Sequence, residues 1–239
     1  SHANSRRPQG SGAHLLRIWS GDRIVTAALV PMKDLRDAKQ RLSSILLEDE
    51  RKGLVNAMLR DVLAALTNAR NIHSVSIIAH DRDFLDFGVG FVEEAKNAGY
   101  NEAVGFALGR PEFADTSAIL VLPGDIPLVT PFEIDALAAK QTEPTVRLAS
   151  ARDGDGTNGL MISPPKLIET TFGVGSFVRH RKIAENAGAH VDTIQGEGIS
   201  FDIDTPEDLI AFCAVDAVSE THTFLDLSGI RRRLLAENS

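Results

Sequence analysis

Ile119-Leu120-Val121-Leu122-Pro123-Gly124-Asp125-Ile126-Pro127-Leu128 is the stretch on which the rest of the chain can be laid out. A β-branched, apolar run is halted by Pro-Gly, and an aspartate follows at once. Such a run predicts a strand covered on both faces, as in parallel sheets. Asp125 then falls at the carboxyl end of the strand, where open α/β sheets bind ligands. A carboxylate beside a core strand is costly without a cationic partner. A metal ion carrying a nucleotide triphosphate would supply one. The alternative is an aspartate serving the helix that begins near Pro131.

Working outward, Ile24 to Val30 predicts the first buried strand, stopped by Pro31. The segment behind it, Pro31 to Ser43, carries Lys33, Lys39 and Arg41 in a loop rather than a long helix. One reading is a solvated loop in which Asp34 and Asp37 offset the charge. The other is a triphosphate cradle of point charges and a guanidinium fork. There is no glycine-rich Walker pattern. Glu48 to Ala69 has the helical spacing of Leu54, Met58, Val62, Ala65 and Leu66. Val75 to Ala79 and Phe91-Val92 predict further strands, and His80 to Asp83 is a loop at a strand end where a nucleoside could touch. Asn101, in Gly99-Tyr100-Asn101, suits a helix N-cap running through Leu108, or a hydrogen bond to a purine edge.

Past the central strand, Thr130-Pro131-Phe132-Glu133 is a helix start, and Thr145 to Ala151 another strand. Asp153 to Gly159 allows a hairpin turn or an anion-binding nest of backbone amides. Gly159 to Ile162 predicts a strand. Phe172-Gly173-Val174-Gly175-Ser176-Phe177 leads into a helix, with exposed amides suited to a phosphate or carboxylate. His190 to Ile194 and Ile199 to Phe201 are expected as late strands. In an extended Asp202-Ile203-Asp204, both carboxylates reach one face while Ile203 turns to the core. Two such charges call for a divalent cation, and oxygen ligands with phosphate favour Mg²⁺ over zinc.

The 239 residues suit one large α/β domain, here 23–216, with an extension at 1–22 and a C-terminal appendage at 217–239. A net charge of −8 and a pI near 5.4 argue against a nucleic-acid footprint. Cys213 is the single cysteine, which excludes an intrachain disulfide and suits a reducing cytoplasm. No apolar run approaches a membrane span and residues 1–22 lack a signal-peptide core, so no membrane contact is expected. Assembly as a homodimer is left open.

Taken in order, Val30-Pro31-Met32-Lys33 with Lys39 and Arg41-Leu42-Ser43, Leu122 to Leu128, Asp155 to Asn158, Phe172 to Phe177 and Asp202 to Leu209 resemble the CofC/FbiD guanylyltransferases of coenzyme F420 biosynthesis over about Ile24 to Ala214. The resemblance implies a single-domain, Rossmann-like fold of the GT-A type with a mainly parallel sheet. It implies GTP as donor and 2-phospho-L-lactate, phosphoenolpyruvate or 3-phospho-D-glycerate as acceptor. It assigns Mg²⁺ to Asp125, Asp202 and Asp204, and the acceptor to Thr157, Gly173 and Ser176. Lys33, Lys39 and Arg41 would cover the nucleotide, with Asn101 a candidate for the base. The chain departs from the pattern at Met32, where a smaller aliphatic residue is common, at Gly124, where alanine is usual, and at Asp155, often glycine. The rival activities are a sugar-phosphate or molybdopterin nucleotidyltransferase, using the same aspartates with a larger acceptor, and a non-catalytic sensor of a nucleotide or phospho-acid.

Overall fold

A computed structural model describes residues 25–35 and 38–237. The extension expected at 1–22, the start of the first strand at Ile24, and Asp37 lie outside the described residues. A seven-stranded sheet carries the fold: β1 (Thr26–Pro31), β2 (Ser74–Ala79), β3 (Gly90–Glu93), β4 (Ala118–Val121), β5 (Thr145–Ser150), β6 (Thr157–Ser163) and β7 (His190–Thr193), in the order β3-β2-β1-β4-β6-β5-β7. Only β6 runs against its neighbours. The mainly parallel α/β sheet is therefore as expected, and the order reverses around β1 and β4, where such sheets open a ligand crevice.

The strands alternate between two cores. Leu120 and Met161 face one side, with α1 (Glu48–Asn68) and α3 (Pro131–Leu137). Ile119, Val121, Leu160 and Ile162 face the other, with α2 (Tyr100–Leu108) and α4 (Ser176–Asn186). This period of two with both sides covered is the reason the central strands lack a polar face.

Two expectations change. Ile199 to Phe201 is not a strand: Glu197–Ser200 forms a single helical turn, α5, because the Glu133 carboxylate accepts from the Gly198 and Ile199 amides at 3.0 and 3.1 Å. Asn101 does not cap α2; Gly99, at φ 117°, precedes the helix. After α6 (Pro206–Cys213) come α7 (Glu220–Leu227) and α8 (Ile230–Glu237), and Leu225, Ile230 and Leu234 are buried in the main core. Asp61 of α1 accepts from the Glu220 and Thr221 amides at 2.8 and 2.9 Å, which fixes the start of α7.

Candidate active site

The carboxyl ends of β1 and β4 open on a cavity of about 420 Å³. Lys33, Lys39 and Arg41 from the loop after β1 line it, as do Asp125 after β4 and Asp204 before α6. Two distant segments meet here because the Ile203 amide donates to the Asp125 carbonyl at 3.1 Å. Asp208 then accepts from the Asp204 and Thr205 amides, so the capping box of α6 also fixes the backbone at Asp204. Ile203 is fully buried, as the Asp-Ile-Asp reading required.

Lys39 holds the centre of the site. Its Nζ donates to Asp125 Oδ2 at 2.5 Å and to Asp204 Oδ1 at 2.6 Å. Lys39 also sits at φ 52°, ψ 41°, and is the one non-glycine residue with positive φ among the described residues. That conformation is disfavoured for a residue with a Cβ and persists only where surrounding contacts enforce it. Burial alone would lower the ammonium pKa, but the two carboxylates outweigh it and raise it. Burial would likewise raise Asp204, yet Lys39 holds it below the ordinary value. Asp202 turns instead to Asn158, whose Nδ2 donates to it at 3.3 Å. Burial, and then the charge of Asp125, push Asp202 upward. Among the described residues no three acidic, imidazole or thiol groups form a ready metal cage. Asp125 and Asp204 converge on an ammonium, with Asp202 beside them.

The residues expected at the acceptor form a separate cluster. The Ser176 hydroxyl bonds Thr157 Oγ1 at 3.0 Å, and Thr157 Oγ1 lies 3.1 Å from His180 Nδ1; all three residues are buried. His180 Nε2 accepts from the Thr171 amide at 2.8 Å, so the neutral ring carries its proton on Nδ1 and donates it to Thr157. Burial, and then Arg179, bring the His180 pKa down to about 4. The Gly173 loop stands on this cluster, with Gly173 at φ 114° and Gly175 at φ 68°. The amides of Gly175, Ser176 and Phe177 are taken up by Asp155 Oδ2, the Gly173 carbonyl and the Asp155 carbonyl. Asp155 thus ties the two glycine-rich segments together. Between β5 and β6 the hairpin holds rather than the nest. Thr157 and Asn158 belong to β6, and the Gly154, Asp155 and Gly156 amides are satisfied by Ala151 O and Asp153 Oδ1.

Asn101 is committed elsewhere. Its Oδ1 accepts from the Phe172 amide at 2.7 Å and its Nδ2 donates to the Phe172 carbonyl at 3.4 Å, lashing α2 to the loop. The His80–Asp83 turn lines a second cavity of about 410 Å³ with Asp34 and Lys52, and His80 Nδ1 lies 3.0 Å from the Glu94 carbonyl. The sequence reading missed Tyr100, which lines the main cavity, and His180. Only the i, i+4 spacing from Ser176 to His180 hinted at their shared face.

A family model described as guanylyl transferase CofC like matches residues 26–231. The chain belongs to this family. A CofC-like protein is an enzyme of the guanylyl transferase class, and relatives cover most of its length. The chain is 39% identical over 193 residues to a phosphoenolpyruvate guanylyltransferase of Sphaerobacter thermophilus, covering 78% of this chain and 91% of that protein. It is 34% identical over 190 residues to a 2-phospho-L-lactate guanylyltransferase of Methanothermobacter thermautotrophicus, covering 77% and 82%. A nucleotidyl transferase structure from the latter organism shares the fold, with a TM-score of 0.62 at 14% identity over 87% of this chain and all of that one. Among the described residues no helix of this CofC-like chain is long and apolar enough to cross a membrane.

Proposed function

We propose that the protein transfers GMP from GTP to the phosphate of a three-carbon phospho-acid in the cytoplasm, releasing pyrophosphate, as a step of coenzyme F420 biosynthesis. Phosphoenolpyruvate is the first acceptor to test, since the 39% identical relative carries that name. What supports the reading most is one cavity wall holding Lys33, Lys39, Arg41, Asp125 and Asp204.

An acceptor phosphate oxygen forms a bond to the α-phosphorus of GTP while the bond from that phosphorus to the β-phosphate oxygen breaks. A phosphate monoester is already largely dianionic at neutral pH, so no general base is required. Bringing two polyanions together is the difficulty, and it is met by position and charge. Lys33 and Arg41 cover the triphosphate, and Lys39 joins them when its carboxylate partners are otherwise engaged. Asp125, Asp202 and Asp204 would hold Mg²⁺. Their fit to a cation rests on two of them already closing on one ammonium, while the third is pushed up by burial and then by its acidic neighbour. When bound, the ion supplies charge neutralisation and polarises phosphoryl oxygens. Thr157, Gly173 and Ser176 would take the acceptor, with His180 bracing Thr157 and Asp155 bracing the Gly173 loop.

The test is pyrophosphate release from GTP with Mg²⁺ and phosphoenolpyruvate, 2-phospho-L-lactate or 3-phospho-D-glycerate supplied singly, with product masses. A phosphoanhydride joining GMP to the phosphate of one acceptor is expected. Release only with a sugar phosphate or a pterin, or only from another nucleotide, would replace this reading by the rival transferase. GTP binding with no release under any acceptor would make the protein a sensor.

A further inference from the structure

Tyr100 opens α2 and lines the cavity shared by Lys33, Lys39, Arg41 and Asp125. Its hydroxyl oxygen is buried and has no hydrogen-bond partner among the described residues. Buried polar groups are almost always satisfied, and an exception needs a reason. On the same cavity wall, Asp125 Oδ2 is taken by Lys39. The phenol also cannot swing away to water. Its ring packs edge-on against Phe172, with centroids 4.7 Å apart and planes at 64°, and the next residue, Asn101, binds both the amide and the carbonyl of Phe172. The hydroxyl is therefore fixed at the cavity wall beside Asp125 with its proton unspent.

We propose that the Tyr100 hydroxyl donates a hydrogen bond to a phosphate oxygen of the nucleotide held in this cavity. The inference rests on the cavity being the triphosphate site. A phenol is protonated at neutral pH, and so acts as a donor. An anionic oxygen is the acceptor that such a donor rewards most. The three cations on the same wall call for phosphate, whereas the Thr157, Gly173 and Ser176 cluster lies outside the lining of this cavity.

Tyr100→Phe removes one oxygen and keeps the ring on Phe172. GTP is titrated calorimetrically with Mg²⁺ and no acceptor, KM is measured for GTP and for phosphoenolpyruvate, and the melting temperature is taken without ligand. The expected result is a Kd and KM for GTP raised about tenfold to a hundredfold, as for loss of a hydrogen bond to a charged group. KM for phosphoenolpyruvate stays put, and the ligand-free melting temperature is equal or higher, since an unsatisfied buried hydroxyl has gone. Unchanged GTP affinity overturns the inference. So does a change confined to phosphoenolpyruvate, or a weakening that tracks a lower ligand-free melting temperature. The proposed activity stands or falls separately. Wild-type protein that binds GTP but turns over no acceptor loses the activity and keeps the contact, as long as the calorimetric difference holds. Wild-type protein that binds no GTP loses both.

Discussion

Replacing Lys39 tests the physical centre of the site. Lys39→Met keeps a chain of similar length and removes the charge between Asp125 and Asp204. Removing one partner of a buried ion pair costs about 3–5 kcal/mol, and of an exposed pair about 0–1 kcal/mol. Here the exposures are mixed. The lysine side chain is 10% exposed, Asp125 27% and Asp204 45%, so Asp204 keeps much of its water and adds little. The loss should fall between the limits, at about 2 kcal/mol, which in a chain of this size lowers the melting temperature by roughly 4–8 °C. Lys39→Gly loses the same charge but relieves a left-handed backbone at φ 52°, recovering about 1 kcal/mol. Glycine should therefore melt above methionine at this position, the reverse of the order in an ordinary helix or strand. Scanning fluorimetry of chelator-treated protein reads both. Millimolar Mg²⁺ should then raise the Lys39→Met melting temperature more than that of the wild type, whose ammonium occupies the gap. A Lys39→Met protein that melts with the wild type, or Gly below Met, would refute the bridging role and the backbone argument respectively.

Asp125→Asn keeps the shape of the side chain, and should lower kcat at least a thousandfold with Mg²⁺ while leaving the circular dichroism spectrum intact; steady-state pyrophosphate release decides. Gly124→Ala would put a Cβ 2.5 Å from Met32 Sδ and 3.4 Å from Leu59 Cδ1, which should cost about 1–3 kcal/mol on denaturant unfolding. Adding Met32→Val should recover most of that loss, and strictly additive effects would show the two sites to be independent. His180 has its folded pKa lowered to about 4 from an ordinary 6.5, so the unfolded chain takes up the proton first as pH falls. Its contribution is complete above about pH 6.5 and declines by roughly 3 kcal/mol toward pH 4, and the stability profile of His180→Gln should lack that component.

What the sequence disclosed was local. The run from Ile119 to Leu122 fixes a buried strand by composition alone, and the Pro-Gly that ends it places Asp125 at the rim. Thr130 with Glu133 and Thr205 with Asp208 announce their helices through capping chemistry that spans four residues. Ile199 to Phe201 misled because its amides are satisfied by Glu133, far off in the chain, and no periodicity records that. Lys39 was legible as one of several cations, but its seat between two carboxylates depends on a left-handed backbone and on the Ile203–Asp125 bond. Tyr100 could not be found at all by pattern. The reach of its hydroxyl follows from how α2 lies on the sheet, and its unsatisfied state is a fact of packing.

Met32 and Gly124 looked like two unrelated departures from the family pattern, one larger than usual and one smaller. In the folded chain they touch. The methionine sulfur fills the place where a Cβ at 124 would stand, so the bare glycine is what makes room for it. This matters for the chemistry because the residue after Gly124 is Asp125, whose carboxylate must stay in register with Lys39 and Asp204. A floor overfilled by even a methyl group would have to shift the β4 loop or the β1 loop, and either shift moves one end of the ion pair. The same reasoning explains why a polarizable, unbranched side chain serves there: methionine can adapt to the cavity wall without pressing on the backbone that carries the carboxylate.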